Sequence, residues 1–356
     1  MNEMIEKAVD FIKGINGKTA LIFDNDGDGI GAAAIIAKYL KTIFNRYPET
    51  VPKIDDPFFL READFEKIRD FSFIITLDVP FDERPKYILK LAKKSKVLVI
   101  DHHQVHKNLN GHRNIVHVNP ELCQTKFPSY KYCVSKIVYD ILSRVNNIEG
   151  SDWLSAIGIV NDKCEDTWKD FLDNVYRKYS ISAKDLRLVN DIVNSGYYHS
   201  GEKGVKVGYK ACLEASSPVD IIMARTPSSK KLKRFYNSIE KEIASVMKSW
   251  KKKAEIFEDK KLIILRLDTK ISINSPISSK ISTEKPNYTV IVARKKGDMT
   301  SASFRRQDEK INCGKLANNL TKNLRNAKGG GHIPAAGATI MSKNWKIFRE
   351  KILDLL

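Results

Sequence analysis

Three short apolar segments near the start of the chain predict buried strands. They are TALIFD (19–24), FIITLD (73–78) and KVLVID (96–101), and each is too short and too rich in β-branched residues for a helix. The stretches between them, such as AAAIIAKYLKTIF and ERPKYILKLAKKS, space their apolar residues as a helix does. Strands that alternate with helices predict a mostly parallel sheet with helices on both faces.

The pattern changes twice along the rest of the chain. From about residue 129 to 195 the apolar spacing is helical and predicts no strand. Residues 229–253 predict one long, basic, amphipathic helix. Segments such as YTVIVARK and TSASFRR then predict further strands, followed by a helical KLANNLTKNL. The predicted fold class is α/β, with an N-terminal domain over 1–215, a helical connector over 216–254 and a smaller α/β domain over 255–356.

The chain is strongly basic. Its 356 residues include 61 Lys and Arg against 43 Asp and Glu, a formal net charge of +18. That balance favours a polyanionic partner, although a solvated lysine surface would also produce it. The five cysteines are scattered and never form a CxxC pair, which argues against a disulfide framework. Without an apolar run of membrane-spanning length or a signal-peptide core, we expect a cytoplasmic protein with no membrane partner.

Each of the three predicted strands ends in an aspartate. These residues are Asp24, Asp78 and Asp101. Open α/β sheets bind ligands beyond the carboxyl ends of their strands, so the three side chains should share one rim. Asp26 and Asp28 follow the first strand, and His102 and His103 follow the third. Crowded carboxylates repel one another unless protonated or neutralised by metal, and a mixed N/O donor set suits Mn²⁺, Fe²⁺ or Zn²⁺ better than Ca²⁺.

Other interpretations of the loop DNDGDG (24–29) fit less well. Ile35 stands where an EF-hand needs a bidentate glutamate, and a strand precedes the loop where an EF-hand has a helix. The glycine spacing does not match a dinucleotide fingerprint, and the GK[ST] ending of a P-loop is missing. A plain turn with a helix N-cap remains the alternative for this loop taken alone. The aspartates after the other strands favour a metal site.

Together these segments resemble a known family. FDNDGDG (23–29), TLDVP (76–80), IDHHQ (100–104) and GIVND (158–162) resemble the four motifs of the DHH phosphoesterase superfamily. GGGHIPAAGA and SASFR, at the other end of the chain, resemble the associated DHHA1 domain. The resemblance is greatest to the small archaeal RecJ-like single-strand exonucleases. It implies a DHH domain over the N-terminal region, followed by the connector and a DHHA1 domain.

The resemblance also implies a two-metal site. Two divalent ions, Mn²⁺ preferred with Mg²⁺ or Co²⁺ as substitutes, would be held by Asp24, Asp26, Asp28, Asp78, His102 and Asp162. Asp24 and Asp26 would hold one ion, and Asp78 would bridge the pair. Asp101 would orient the histidines, and His103 would support the site or reach the substrate. The remaining histidines His106, His112 and His117 are expected at the surface or in loops.

The DHHA1 domain is expected to close over this rim and bind substrate. The substrate-binding residues implied are Ser303, Arg305, Gly329, Gly330, Gly331 and His332. The three glycines would let the backbone approach a phosphate with successive N–H groups, and a helix C-cap with a loop is the structural alternative. His332 and Arg305 would contact the scissile phosphate or its neighbour, which makes His332 a catalytic candidate beside Asp101 and His103.

The basic charge favours a polynucleotide substrate. Lysines of the connector could line a groove for a strand, with Tyr236 or Trp250 for stacking. Arg294 and Arg306, with Arg305, would add positive charge near the cleft. By resemblance we expect 3′→5′ degradation of single-stranded DNA, or of RNA, to mononucleotides in repair or replication.

Two other classes of function stay open. One is a related enzyme: a nanoRNase, a cyclic dinucleotide phosphodiesterase or a pyrophosphatase. The other is an inactive replication scaffold associated with the replicative helicase. A scaffold would be expected to have broken metal motifs, whereas a repair or replication partner such as a helicase is compatible with catalysis.

Overall fold

The computed structural model describes residues 3–54, 60–146 and 148–356. The chain divides into two compact units, Met1–Tyr236 and Asn237–Leu356. The boundary lies inside the longest helix, Pro227–Lys253, so this predicted helix is present and contributes residues to both units.

The N-terminal unit is built on a five-stranded parallel sheet. Its strands are β1 (Thr19–Phe23), β2 (Glu49–Pro52), β3 (Phe73–Leu77), β4 (Lys96–Ile100) and β5 (Ile115–Val118). They are ordered β2-β1-β3-β4-β5, and every neighbouring pair is parallel. The predicted parallel sheet is confirmed. The two edge strands were not predicted, because each has only four residues and includes polar side chains or proline.

Helices cover both faces of this sheet. They are α1 (Glu3–Lys13), α2 (Gly27–Phe44), α3 (Glu62–Ile68), α4 (Lys86–Leu91), α5 (Val134–Leu142), α6 (Asp152–Asn161), α7 (Lys169–Tyr179), α8 (Ala183–Ser200), α9 (Glu202–Glu214), α10 (Pro218–Ile222) and α11 (Pro227–Lys253). Alternate residues of β1 enter separate apolar clusters, Leu21 and Phe23 in one and Ala20 and Ile22 in the other. Such strands are buried on both faces, which explains their continuous apolar sequence.

The C-terminal unit has a six-stranded mixed sheet. Its elements are β6 (Glu255–Phe257), β7 (Leu262–Leu267), α12 (Asn274–Glu284), β8 (Thr289–Lys296), β9 (Met299–Arg305), α13 (Cys313–Thr321), β10 (Lys328–Gly331), β11 (Ala335–Met341) and α14 (Trp345–Leu355). The strand order is β10-β11-β9-β8-β7-β6, with only β7 and β8 parallel. The predicted second α/β unit is confirmed.

Two sequence-based expectations about exposure are wrong. Trp250 is only 2% exposed, so its ring is not available for base stacking. Arg294 and Arg306 are also buried: Arg294 donates to Lys270 O and Ser272 Oγ, and Arg306 pairs with Asp308. Both guanidinium groups therefore stabilise their own unit and offer little free charge to a ligand. Among the described residues, none of the helices has the length and apolar character needed to cross a bilayer.

Candidate metal centre

The centre begins where β1 and β3 end. The chain leaves β1 for β2 on one side, while β3 lies on the other, and this reversal opens a crevice at the carboxyl ends of the strands. Asp24 and Asp26 follow β1, and Asp78 follows β3 directly. Asp78 has a φ of 60°, a left-handed conformation that aspartate and asparagine tolerate better than most residues.

Asp26 is fixed by the start of α2. Its Oδ1 accepts hydrogen bonds from the N–H groups of Asp28 (3.1 Å) and Gly29 (3.2 Å), so it is the N-cap of the helix. Its Oδ2 accepts from Asn161 Nδ2 at 2.8 Å. A Cβ at Gly29 would lie 2.7 Å from Asp24 O, so glycine is needed for the tight passage from β1 into α2.

Asp28 is completely buried and joins α2 to α5. Its two carboxylate oxygens accept from the backbone N–H groups of Val134 (2.7 Å) and Ser135 (2.8 Å), at the first turn of α5. Unsatisfied N–H groups at a helix start favour a carboxylate there. A Cβ at Gly158 would lie 2.1 Å from Asp28 Oδ1, so the glycine of GIVND leaves the space that this carboxylate occupies.

His102 faces two carboxylates. Its Nε2 lies 3.4 Å from Asp78 Oδ1 and 3.4 Å from Asp162 Oδ2, at the long limit for a hydrogen bond. Those two oxygens are buried and accept no hydrogen bond from the residues that the structure describes. Asp162 lies just after α6, and its Oδ1 accepts from Asn161 Nδ2 at 3.0 Å.

His103 has a different environment. Its Nδ1 lies 2.8 Å from Asp101 Oδ1 and 3.8 Å from Asp78 Oδ1, and its side chain is 49% exposed. Asn119 Nδ2 donates to the His103 carbonyl at 2.9 Å. Asp101 is thus hydrogen-bonded to His103, while His102 Nδ1 has no partner in the described chain. The expectation that Asp101 would orient both histidines is met geometrically only at His103.

Three sets of residues bring their ligand atoms together at this rim. Within each set, the ligand atoms lie within 4.8 Å of one another. The sets are Asp24, Asp26 and Asp78; Asp28, His102 and Asp162; and Asp78, His102 and His103. The structure therefore brings together all six residues predicted as metal ligands. Asp78 and His102 each belong to two of the sets.

The electrostatics of the centre are those of crowded, buried acids. Burial and the charges of Asp28 and Asp78 raise the pKa of Asp162 to about 9. Burial and the charge of Asp78 likewise raise the pKa of Asp26 to about 7. Burial also opposes ionisation of Asp78, but its contact with His102 and the charges of both histidines outweigh burial and lower its pKa.

These observations fit a divalent cation. Asp78 Oδ1 and Asp162 Oδ2 are buried acceptors without hydrogen-bond donors among the described residues, and such atoms are costly unless something else binds them. The donor set is carboxylate oxygen and imidazole nitrogen, without thiolate. A cation would offset the mutual repulsion that raises the carboxylate pKa values.

In the C-terminal unit, the predicted substrate residues share one face of the sheet. Ser303, Gly337 and Gly330 are consecutive partners across β9, β11 and β10, on the face opposite the apolar core. Arg305 lies on this face, and its guanidinium donates to Ser275 Oγ (2.9 Å) and Ser279 Oγ (3.2 Å) of α12. Ser303 Oγ accepts from Asn274 Nδ2 at 3.0 Å. Gly330 and Gly337 are exposed and form a strip without side chains.

The glycine triplet is a strand, where a phosphate-binding loop or a helix cap was expected. Gly329, Gly330 and Gly331 form β10, at the edge of the sheet. Successive N–H groups of a strand point in opposite directions, so the three cannot converge on one phosphate. Gly329 is required by packing, since its Cβ would lie 2.3 Å from Ala317 O. Exposed His332 follows the strand, and its N–H donates to Ala335 O at 2.8 Å.

Two family models match the chain, the DHH family N-terminal domain over residues 18–160 and the DHHA1 domain over residues 259–356. The chain belongs to the DHH/DHHA1 superfamily. The family predicted from the motifs is confirmed, and the architecture is that of a DHH-family phosphoesterase. No curated protein matches the sequence.

Solved structures share the fold across nearly the whole chain. RecJ from Thermus thermophilus, in complex with Mn²⁺, superposes with a TM-score of 0.72 and 14% identity over 99% of this chain, which spans 54% of that RecJ. A manganese-bound exonuclease RecJ has a TM-score of 0.68 and 15% identity, and the match covers 99% of this chain and 94% of that RecJ. The DHH domain of a member of a ribosomal protein family has a TM-score of 0.71 and 16% identity, with coverage of 99% and 90%. At these identities the similarity is one of fold.

Two residues that shape the centre of the DHH domain were not predicted. Asn161 donates to both Asp26 and Asp162 and so links the FDNDGDG motif to GIVND. Asn194 donates to Asn161 Oδ1 at 3.0 Å. The position of Asn161 beside Asp162 in GIVND was the available signal. Asn194 carries no comparable signal, because it lies 33 positions after Asn161 in the sequence and is brought to the site by α8.

His117 is also misplaced by the sequence analysis. It lies in β5 and is fully buried, where a surface or loop position was expected. Its Nδ1 accepts from Leu109 N at 3.4 Å, and its Nε2 has no hydrogen-bond partner in the described chain. Burial lowers the pKa of His117, an effect that the charges of Asp82 and Asp101 oppose in part. The imidazole is therefore held neutral inside the DHH domain.

This burial predicts a pH-dependent stability. The unfolded chain binds a proton at His117 near pH 6.5, whereas the folded chain binds it only at lower pH. Stability from this group is thus present above pH 6.5 and is lost as the pH falls below it, by up to about 1.4 kcal/mol per pH unit. Urea unfolding of His117→Gln, whose amide can still accept from Leu109, should show a smaller loss between pH 6.5 and 5 than the unsubstituted protein. Equal slopes for the two proteins would contradict the neutral, buried assignment.

Proposed function

We propose that the protein is a metal-dependent exonuclease that degrades single-stranded nucleic acid, with DNA favoured over RNA and 3′→5′ polarity favoured, and releases mononucleotides. The observation that carries this proposal is the convergence of five aspartates and His102 on one rim of the DHH domain. The net charge of +18 and the RecJ-like fold favour a nucleic-acid substrate over a small anion. The associated cellular role is DNA repair or replication, with a helicase as a candidate partner.

The proposed ligands divide into two sets. Asp24 and Asp26 would hold one divalent ion, Asp28, His102 and Asp162 would hold the other, and Asp78 would contribute to both. When bound, such ions would lower the pKa of a water molecule and neutralise charge on the phosphoryl group. RecJ structures contain Mn²⁺ or Mg²⁺, and we propose Mn²⁺ as the preferred ion here. Asn161 orients Asp26 and Asp162 by donating to both.

His103 is the proposed link between the centre and the substrate. Asp101 holds its Nδ1, which leaves the other ring nitrogen of this half-exposed imidazole to contact a phosphate oxygen or the leaving oxygen. Buried Asp101 is thus a positioning residue, and its remaining oxygen accepts no hydrogen bond in the described chain.

The DHHA1 domain is proposed to bind the strand through the exposed strip on its sheet. Arg305 is held in place by two serines of α12, and a preorganised guanidinium suits phosphate recognition. Ser303 and exposed His332 complete the proposed contacts. The strip formed by Gly330 and Gly337 allows a ligand to approach the backbone directly.

Two glycine substitutions separate binding from packing in this domain. A Cβ at Gly330 would meet no atom within 4 Å, so Gly330→Ala should fold normally. If substrate lies on the strip, the added methyl group should displace it and lower kcat/KM for a strand by roughly tenfold to a hundredfold. Gly329→Ala, in contrast, would bring Cβ against Ala317 O and should destabilise the domain by about 1–3 kcal/mol.

Thermal unfolding and exonuclease assays on both variants check this prediction. Gly111→Ala is the matched control, because its Cβ also meets nothing within 4 Å and it lies in the DHH domain. A fully active Gly330→Ala enzyme would remove β10 from the proposed binding surface.

A substrate panel tests the proposed function. Single-stranded DNA and RNA labelled at either end, a dinucleotide, a cyclic dinucleotide and pyrophosphate are incubated with enzyme and Mn²⁺. We expect mononucleotides from the single strands. Hydrolysis confined to dinucleotides would indicate a dinucleotide phosphodiesterase. A pGpG-specific phosphodiesterase from Vibrio has a similar fold. Hydrolysis of pyrophosphate alone would reject the polymer substrate. If no substrate is hydrolysed, the inactive replication scaffold would be favoured. The convergence of all six predicted metal ligands argues against that scaffold.

A further inference from the structure

One exposed aromatic side chain is carried by a turn whose backbone contacts the segment after Asp162. Tyr130 occupies a short 3₁₀ turn, Ser129–Lys131, and is 65% exposed. Single exposed apolar residues are ordinary on protein surfaces, so exposure alone carries no inference. Two further observations, the position of this turn and the way it is held, distinguish Tyr130.

The turn is joined to the segment that carries Asp162. The Sγ of Cys164 donates to Tyr130 O at 3.3 Å and lies 3.4 Å from Asp162 O. Lys131 Nζ donates to Lys163 O at 3.4 Å. One buried thiol therefore bridges the backbone of Tyr130 and that of a proposed metal ligand.

The turn is also held by hydrogen bonds and by packing of aromatic rings. Trp168 Nε1 donates to Lys131 O at 2.8 Å, and the rings of Trp168, Phe127 and Tyr132 pack with centroid separations of 4.9–6.4 Å. Ser129 Oγ donates to Glu121 Oε1 at 3.2 Å. The backbone on both sides of Tyr130 is thus fixed while its ring remains in solvent, so little ordering entropy would be lost when a flat ligand binds the ring.

The charge around the ring suits a strand of phosphates. The ammonium of Lys131 lies 5.9 Å from the centroid of Tyr130, and Lys126 and Lys163 are on the flanking segments. Two carboxylates lie on the same segments: Glu165 pairs with Arg187 at 3.4 Å, and Glu121 accepts from Ser129 Oγ and Val105 N. An aromatic face flanked by lysines is the arrangement by which proteins bind single strands with little sequence preference.

We propose that Tyr130 stacks on a nucleobase of the substrate strand, next to the phosphodiester held at the metal centre. This inference rests on the proposed function and specifies it: the substrate is a strand whose base near the scissile bond is unpaired and unstacked. A duplex end would not offer that face until its terminal pair opened. Tyr130 would therefore contribute to the preference for single strands.

Removing the Tyr130 ring should slow the cleavage of strands that have bases and leave the cleavage of abasic strands unchanged. Stacking contributes about 1–3 kcal/mol per base, so Tyr130→Ala should lower kcat/KM on a single-stranded oligonucleotide by roughly tenfold or more, mainly through KM. Tyr130→Phe and Tyr130→Trp should retain activity. On an oligonucleotide with abasic residues at its degraded end, Tyr130→Ala and the unsubstituted enzyme should have equal kcat/KM.

Tyr47→Ala is the matched control. Tyr47 is a lysine-flanked tyrosine, 47% exposed, with Lys41 Nζ 5.6 Å from its ring centroid. It lines a cavity with Gly17, Lys18 and Thr19, at the start of β1, whereas the metal centre follows the end of that strand. Its substitution should leave cleavage of both oligonucleotides unchanged.

The outcomes separate the two proposals. If the unsubstituted enzyme degrades strands and Tyr130→Ala loses as much on abasic as on normal strands, or loses nothing, the stacking inference is wrong and the proposed function stands. If the unsubstituted enzyme degrades no strand, the proposed function itself fails. A loss confined to strands with bases, restored by Tyr130→Phe, supports the inference.

Discussion

We expect Asp78→Asn to lower kcat by about 1,000-fold or more while the protein remains folded. Asp78 converges with Asp24 and Asp26 in one ligand set and with His102 and His103 in another. It is proposed to contribute to both ions, so loss of its charge should weaken the binding of both. Divalent ions supply several kcal/mol of transition-state stabilisation, and each 1.4 kcal/mol is about a factor of ten in rate. Asparagine is the suitable replacement, because it also tolerates the φ of 60° that alanine would adopt only with strain. Single-turnover cleavage of an end-labelled strand measures the effect.

A distant carboxylate provides the control for this substitution. Asp70 is 68% exposed and pairs with Arg69 and Lys94 at the surface, so Asp70→Asn should keep full activity. Circular dichroism should show the same helix and strand content for both variants. If kcat of Asp78→Asn is within tenfold of the unsubstituted value, Asp78 is not essential to the mechanism.

Removal of divalent ions should abolish turnover and lower the melting temperature of the DHH domain. The buried carboxylates repel one another, and a cation that binds only the folded state stabilises it by mass action. At Mn²⁺ concentrations about 100 times the dissociation constant the gain is about 2.7 kcal/mol, which corresponds to roughly 5 °C or more in Tm. Calorimetry with EDTA and then with added Mn²⁺ measures the shift.

Asp162→Asn is the matched variant for the metal experiment. It removes one of the buried oxygens that lack a hydrogen-bond donor in the described chain. Without metal, the Asp162 carboxyl must take up a proton on folding because its pKa is raised to about 9, whereas an amide need not. Its Tm in EDTA should be equal to or higher than that of the unsubstituted protein, and its Mn²⁺-induced shift should be much smaller. Equal shifts in the two proteins would mean that the stabilising ion binds elsewhere.

The centre of the fold was predictable because its strands are buried on both faces. Continuous β-branched runs identified β1, β3 and β4, and the aspartates after them located the rim where ligands converge. The edge strands β2 and β5 lack such runs, so nothing in local sequence distinguished them from loops. His117 was misassigned for the same reason, since a histidine in a short polar segment gives no sign of burial.

The parts that the sequence analysis missed depend on long-range packing. Asp28 was predicted as a ligand, but its bonds to the start of α5 join residues more than 100 positions apart. Trp250 is buried on a helix that is otherwise rich in lysine, and hydrophobic spacing alone did not show which side is covered. The glycine triplet was expected as a loop, because pairing with β11 is not visible until the strands are placed side by side.

The central claim is that the rim of the DHH domain binds a pair of divalent ions. Equilibrium dialysis of the chelator-treated protein against Mn²⁺, followed by metal analysis, measures the number of ions directly. We predict two ions per chain for the unsubstituted protein and a loss of at least one in Asp78→Asn. A protein that binds no Mn²⁺ at saturation, or binds the same number after the substitution, would contradict the account.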